Sequence, residues 1–161
     1  MNYELIQASK AYKDVIQSLM QFYIYDFSEF VHCDVEDNGL FKPYPYLEDY
    51  WIEVDQRFPY VIKQADNYIG FVLVRFIESE ERNYFSIAEF FIMKRYRKEG
   101  IGKTVAKQIF DTHKGHWEVC QLESNKPAQQ FWNKVIHEYT QGNFTDRVEG
   151  GRRIQDFKTM G

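Results

Sequence analysis

The spacing of polar and apolar positions changes along this chain, and the changes divide it into elements. Tyr3 to Ile6 reads as a short strand. From Lys10 to Tyr25, apolar residues at Tyr12, Val15, Ile16, Leu19, Met20 and Tyr23 recur at three- and four-residue steps, which predicts a helix with one buried face. Asp26 to Lys42 breaks that rhythm, is acidic and aromatic, and contains the turn signal Asn38-Gly39. Tyr46 to Arg57, following Pro45, reads as a second helix. Pro59 to Gln64, Tyr68 to Phe76 and Tyr84 to Met93 are rich in β-branched and aromatic residues and read as strands, the first two joined by the hairpin-sized loop Ala65-Asp66-Asn67.

The second half alternates helix and strand. Gly102 to His113 is predicted helical with Val105, Ala106, Ile109 and Phe110 on its apolar face, and Trp117 to Leu122 is a strand. Lys126 to Ile136 is a helix, with Asn125 placed to cap it and Pro127 in its first turn. Glu138 to Phe144 and Arg152 to Lys158 are expected to pair as a closing hairpin. An antiparallel start followed by a crossover helix gives an α/β (α+β) fold: a mixed, mostly antiparallel sheet flanked by helices, in one domain spanning 1–161.

Composition narrows the class. Hydrophobic residues make up 44% and charged residues 27%, which excludes a disordered chain. No apolar run approaches the ~20 residues of a membrane span, and the opening MNYELIQASKAYKD lacks the apolar stretch of a signal peptide. With only Cys33 and Cys120, a disulfide framework is not expected, and a cytoplasmic location is. Aromatic content is high at 18%, so large flat groups are packed or bound. The net charge of -4 argues against a nucleic-acid partner, yet Lys94 to Lys103 (KRYRKEGIGK) carries five bases against one acid. A basic island beside glycines in an acidic chain suggests a site for a small polyanion.

That island lies where chemistry is expected. The strand SIAEFFIM runs into a basic turn, and Arg97-Lys98-Glu99-Gly100-Ile101-Gly102 opens a helix. Successive backbone N–H groups at a helix start form an anion nest, and glycines let a phosphate approach the main chain. Gly102-Lys103-Thr104 also looks like the end of a P-loop, but the first glycine of that motif falls at position 97, which is Arg97. His113, His116 and Cys120 are near one another in sequence, but no fourth ligand is evident and no metal is expected. Asp26, Glu29, Asp34, Glu36 and Asp37 lie in an aromatic segment without Lys or Arg, and Tyr44, Tyr46, Tyr50 and Trp51 follow it. Acids and aromatics together would suit a cationic amine.

With the Arg-x-x-Gly-x-Gly loop in that position, and with Asn125-Lys126-Pro127-Ala128-Gln129-Gln130-Phe131-Trp132 after the next strand, the chain resembles the GNAT family of N-acetyltransferases. The resemblance is close over Tyr84 to Tyr139 and extends loosely, as element order, to the rest. It implies acetyl-CoA as co-substrate and a small-molecule or peptide amine as acceptor. The amine would attack the thioester directly and pass through a tetrahedral intermediate. The main chain of Phe90, Phe91 and Ile92 would pair with the pantetheine arm, and an N–H near Ile92 would stabilise the oxyanion. The loop from Arg97 through Lys98, Glu99, Gly100, Ile101, Gly102 and Lys103 to Thr104 would hold the pyrophosphate. Asn125 would bind the arm or a water, the helix from Lys126 would flank the thiol, and Glu89 would be the general base, with Glu123 a second candidate.

The chain departs from the family pattern twice. Trp132 stands where the family often has the tyrosine that protonates the leaving thiolate, and indole N–H is no acid at neutral pH. Water or Tyr139 would then supply the proton. Glu99 puts a negative charge into the phosphate loop, harmless if it points outward. A CoA-binding module without catalysis and a P-loop-like nucleotide binder remain as alternative functions. Edge strands near Phe144 and Arg152 leave a homodimer open.

Overall fold

The computed structural model describes residues 2–159. Its strands are β1 (Glu4–Gln7), β2 (Arg57–Gln64), β3 (Asn67–Ile77), β4 (Tyr84–Ile92), β5 (His116–Leu122), β6 (Thr145–Glu149) and β7 (Arg152–Lys158). Its helices are α1 (Lys13–Phe27), α2 (Ile101–Thr112) and α3 (Lys126–Thr140). The strands form one mixed sheet in the order β1-β2-β3-β4-β5-β7-β6. β4 and β5 pair parallel at Phe85 and Trp117, while β1–β2, β5–β7 and β6–β7 are antiparallel. The expected sheet type and helical flanks are therefore present.

Packing divides the chain into two compact units. Among the described residues, one runs up to Leu73 and includes Glu89–Arg97; the other holds Val74–Ala88 and those from Lys98 onward. In the first unit, α1 buries Ile16, Leu19 and Met20, the residues its spacing singled out, within a core that includes Val61, Ile62, Phe71 and Phe91. β4 comes so close to β3 that a Cβ on Gly70 would lie 2.1 Å from the carbonyl oxygen of Phe91. Next to it, the Met93 N–H donates to Ile69 O at 2.8 Å.

In the second unit, the aromatic surplus is mostly core. Phe110 of α2 meets Trp117, Phe157 and Tyr139 at centroid distances of 4.9, 5.0 and 5.1 Å. The buried Trp117 indole satisfies its N–H on His113 O at 2.8 Å. Gln121 and Gln155, both buried, exchange two amide hydrogen bonds of 2.7 and 3.0 Å.

Two predicted elements are corrected. Tyr46 to Arg57 is not a helix; only Glu48–Trp51 forms a 3-10 turn. Leu47, Tyr50 and Trp51 fit one helical turn, but Ile52 and Val54 are 68% and 60% exposed, so the apolar stripe stops after that turn. The Trp51 indole instead anchors on Ala8 O at 2.9 Å. Nor is Glu138 to Phe144 a strand. α3 runs on to Thr140, because Val135, Ile136 and Tyr139 continue its apolar face, and Gln141 ends it in the left-handed conformation at φ 55°. The strand pairing with β7 is β6, further along the chain.

Substituting Gly70 with Ala forces two backbone segments apart and is expected to cost about 2 kcal/mol or more. Urea denaturation measures the change, and an unaltered midpoint would contradict the close approach. Burial pushes the His113 imidazole down from 6.5 to about 4. Both folded and unfolded chains are neutral at this residue above about pH 6.5, so stability is whole there; it falls as pH drops towards 4, where only the unfolded chain takes up the proton. In His113→Phe this part of the acid dependence should vanish, and an unchanged pH slope of the denaturation midpoint between 6.5 and 4 would refute the assignment.

Candidate functional site

The turn after β4 delivers a helix start with unsatisfied donors. Lys98 takes φ 68° and Gly100 φ 82°, two left-handed residues in three, of which only glycine does so without strain. Gly100 is the N-cap of α2 and supplies no side-chain cap. The N–H groups of Ile101, Gly102 and Lys103 therefore have no intrahelical acceptor, and the first intrahelical bond is Thr104 N–H to Gly100 O at 3.1 Å. Their dipoles add to the positive end of the helix, so an anion suits this end of α2.

The side chains around the turn are not equally available. Lys98 and Glu99 are exposed. Lys103 and Lys107 both reach Glu138 of α3, at 3.0 and 3.2 Å, and these bonds hold the Glu138 carboxyl below its usual range. Thr104 spends its hydroxyl hydrogen on Gly100 O at 3.0 Å, so it has none to offer an anion. Arg97, the first residue of the motif, belongs to the first unit. Its Nε donates to Ile92 O at 2.6 Å and its Nη2 to Asp26 Oδ2 at 2.6 Å, with the guanidinium 5.6 Å from the Phe91 ring centroid. The backbone N–H of Arg97 is also engaged, by Lys94 O at 3.1 Å. The contribution of Arg97 is thus to hold the end of β4 in shape.

Glu89 lies half-buried on β4 beside tyrosines. Tyr23 of α1 donates its hydroxyl to Glu89 Oε1 at 2.9 Å, and Tyr44 lies close enough to feel the charge of this carboxylate. Burial first, and the adjacent negative charge second, push both phenols well above their ordinary range, so they remain donors at any physiological pH. The Tyr23 ring is itself fixed, edge-on to Phe71 at 5.8 Å and to Phe91 at 6.1 Å. Phe91 and Ile92 are buried and Phe90 half-buried. The sequence pointed to Glu89 but not to its tyrosine partners. For Tyr23 the only available signal was its place on the predicted inner face of α1.

The other candidates separate into structural and available groups. Asn125 caps α3, its Oδ1 accepting from the Ala128 N–H at 3.1 Å, which leaves its Nδ2 for another acceptor. Trp132 is 6% exposed and packs on Phe110 and Phe131, so it is chiefly a core residue. Tyr139 donates to Asp111 Oδ1 at 2.8 Å, and burial together with that bond raises its pKa far enough to make it a poor acid. Glu123 is exposed. In the acidic segment Asp26 is paired with Arg97, whereas Glu29, Asp34, Glu36 and Asp37 are exposed. Tyr50 is buried, Trp51 is bonded to Ala8, and Tyr46 is 58% exposed, so Tyr44 alone of that group joins Glu89. Among the described residues no group of His, Cys, Asp and Glu could hold a metal, and no helix is long and apolar enough to cross a membrane.

Comparison with known proteins bears on this geometry. Residues 16–137 match the family model described as the acetyltransferase (GNAT) family. Among solved structures, the chain resembles an acetyltransferase from Thermus thermophilus at a TM-score of 0.68, with 12% identity and coverage of 98% of this chain and 97% of that one. It resembles PaiA N-acetyltransferase from Thermoplasma acidophilum, solved with coenzyme A, at 0.64, with 14% identity and 98% and 99% coverage. Arabidopsis thaliana Naa50, solved with the bisubstrate analogue CoA-Ac-MVNAL, matches at 0.59, with 15% identity and 99% and 100% coverage. At these identities the likeness establishes the fold. Among curated protein sequences none matches.

Replacing Tyr23 by Phe removes a hydrogen bond to a carboxylate while keeping the ring packing. We expect a loss of about 1.5 kcal/mol in denaturant unfolding. A change below about 0.3 kcal/mol would mean that Tyr23 and Glu89 do not interact as described.

Proposed function

We propose that this chain, which belongs to the GNAT acetyltransferase family, moves an acetyl group from acetyl-CoA to a primary amine by direct attack through a tetrahedral intermediate. The observation that carries this reading is the uncapped start of α2, behind left-handed Lys98 and Gly100. Backbone donors without acceptors, beside exposed Lys98, suit the pyrophosphate of CoA. In this reading the N–H groups from Lys98 to Lys103 hold that pyrophosphate. The main chain of Phe90, Phe91 and Ile92 aligns the pantetheine arm, with an N–H near Ile92 for the oxyanion. Asn125 offers Nδ2 to the arm or to a water.

Glu89 serves the amine. Once nitrogen bonds to the thioester carbon it becomes strongly acidic, and a carboxylate held by the Tyr23 hydroxyl takes the proton in this reading. The thiolate is protonated by water, since Trp132 has no hydroxyl and Tyr139 is spent on Asp111. The acceptor is a small-molecule or peptide amine, the peptide class being suggested by the likeness to Naa50. The exposed free thiols Cys33 and Cys120 suit a cytoplasmic location. The lack of a hydroxyl at Trp132 favours one second reading, a CoA-binding module without catalysis.

Calorimetric titration of the protein with acetyl-CoA should give saturable one-to-one binding, with ATP–magnesium inert. Gly102→Asp, whose charge meets the phosphates without disturbing a helix start, should weaken it at least tenfold. No binding of acetyl-CoA or CoA would overturn the function. If binding holds, thiol release with an amine panel separates enzyme from binding module. Glu89→Gln should then lower kcat about 100-fold with CoA affinity unchanged.

A further inference from the structure

The far side of α1 carries a surface that acetyl transfer at Glu89 does not use. With about 100° per residue, Tyr23 and Phe27 share the inner face with Ile16, Leu19 and Met20, and Tyr25 lies about 200° round from Tyr23. That outer face should be polar, yet Phe22 and Tyr25 on it are 54% and 67% exposed. Opposite them, the segment after the helix folds back and is pinned through Gln21, which donates to Phe41 O at 3.0 Å and accepts from the Phe41 N–H at 2.9 Å. This side-chain amide copies a strand pairing and fixes the loop against the helix.

Between helix and loop runs a groove of about 490 Å³ whose walls include Phe22, Tyr25, Val35, Leu40 and Asp34. Four of the nine large apolar side chains exposed among the described residues line it, so the exposure is concentrated rather than scattered. The far wall is ordered: Glu36 N–H bonds Leu40 O, Gly39 N–H bonds Glu36 O, both at 2.8 Å, and Leu40 N–H bonds Asn38 Oδ1 at 3.0 Å. The groove is thus built before anything enters it, which spares a partner the entropy of ordering the loop.

Charge decides what fits. Residues 26–41 contain five acids and no Lys or Arg. Asp26 is neutralised by Arg97, but Glu29, Asp34, Glu36 and Asp37 are exposed, with no ion pair among the described residues. With Asp34 in its wall and Glu36 and Asp37 in the loop that forms that wall, against the single exposed Lys42 beside Phe41, the groove repels acidic partners and anionic lipid surfaces. It complements a segment with apolar anchors flanked by Lys or Arg, which adds cation–π contacts to Tyr25 and Phe22. We infer that the groove between α1 and residues 33–41 docks a cationic, apolar-faced peptide segment of another protein. The inference does not rest on acetyl transfer, and its test reads binding alone.

The probe is a fluorescently labelled 15-residue peptide with Leu at i, i+3 and i+4 spacing and Lys elsewhere, followed by anisotropy at physiological salt. Controls are its Glu-for-Lys counterpart and a scrambled isomer. Saturable binding of the Lys peptide alone is expected. Tyr25→Ser with Leu40→Ser should weaken it at least tenfold, the thermal midpoint staying unchanged because both side chains are more than half exposed. Asp34→Asn, Glu36→Gln and Asp37→Asn together should reduce both affinity and its salt dependence. Equal binding of the scrambled or Glu peptide, or full binding by the Tyr25→Ser, Leu40→Ser variant, overturns the proposal. So does a concentration-dependent dimer that the same two substitutions dissolve, which would make the occupant a second copy of this chain.

Discussion

The guanidinium of Arg97 ties the end of β4 to the last turn of α1, and the turn that leads on to α2 starts from there. One planar side chain accepts three tasks at once: it donates to the carbonyl of Ile92, pairs with Asp26 in the last turn of α1, and lies over the Phe91 ring. Its fork geometry is what allows two acceptors to be served from one position, which a lysine could not do. With the strand end and helix α1 held in this way, the chain leaves through a single 3-10 turn and two left-handed residues into α2. The start of α2 remains uncapped because its N-cap is Gly100, which has no side chain to offer the first donors.

Charge is distributed to match. In the first unit a carboxylate, Glu89, is kept among aromatic rings, and two phenols whose own ionisation is suppressed donate to it or share its environment. In the second unit the charge of a helix start is positive, and Lys103 is drawn to Glu138, so the positive potential there comes from the backbone N–H groups and the exposed Lys98. Fixed dipoles of this kind need no reorganisation when a ligand arrives, and backbone geometry aims them more sharply than a flexible side chain could.

Much of the fold was legible because its signals are local. α2 and α3 were readable from apolar spacing, the α3 start from Asn125 and Pro127, and the α2 start from glycines after a basic turn. The structure departs from the local signals where local and tertiary preferences compete. Leu47, Tyr50 and Trp51 satisfy one turn of helix, but the Trp51 indole is drawn to Ala8 O, a partner far away in sequence. Tyr139 looked like strand material, whereas Phe110 and Phe157 hold it on a lengthened α3.

The candidate site shows the same division. The sequence alone determined the kinds of residue present: a Gly-rich basic turn between strand and helix, a glutamate before the strand end, an Asn-Pro helix start, a tryptophan in place of a tyrosine. Those properties reside in neighbouring residues and in backbone preferences that act over a few positions. Only the tertiary structure decided the roles: Arg97 binds the strand end, Thr104 bonds back to its own helix, Tyr139 is spent on Asp111, and Tyr23 and Tyr44 converge on Glu89. Hydrogen bonds and ring contacts have a range of a few ångströms, so which partners meet depends on how distant segments of the chain are folded together. No spacing along the sequence encodes that distance.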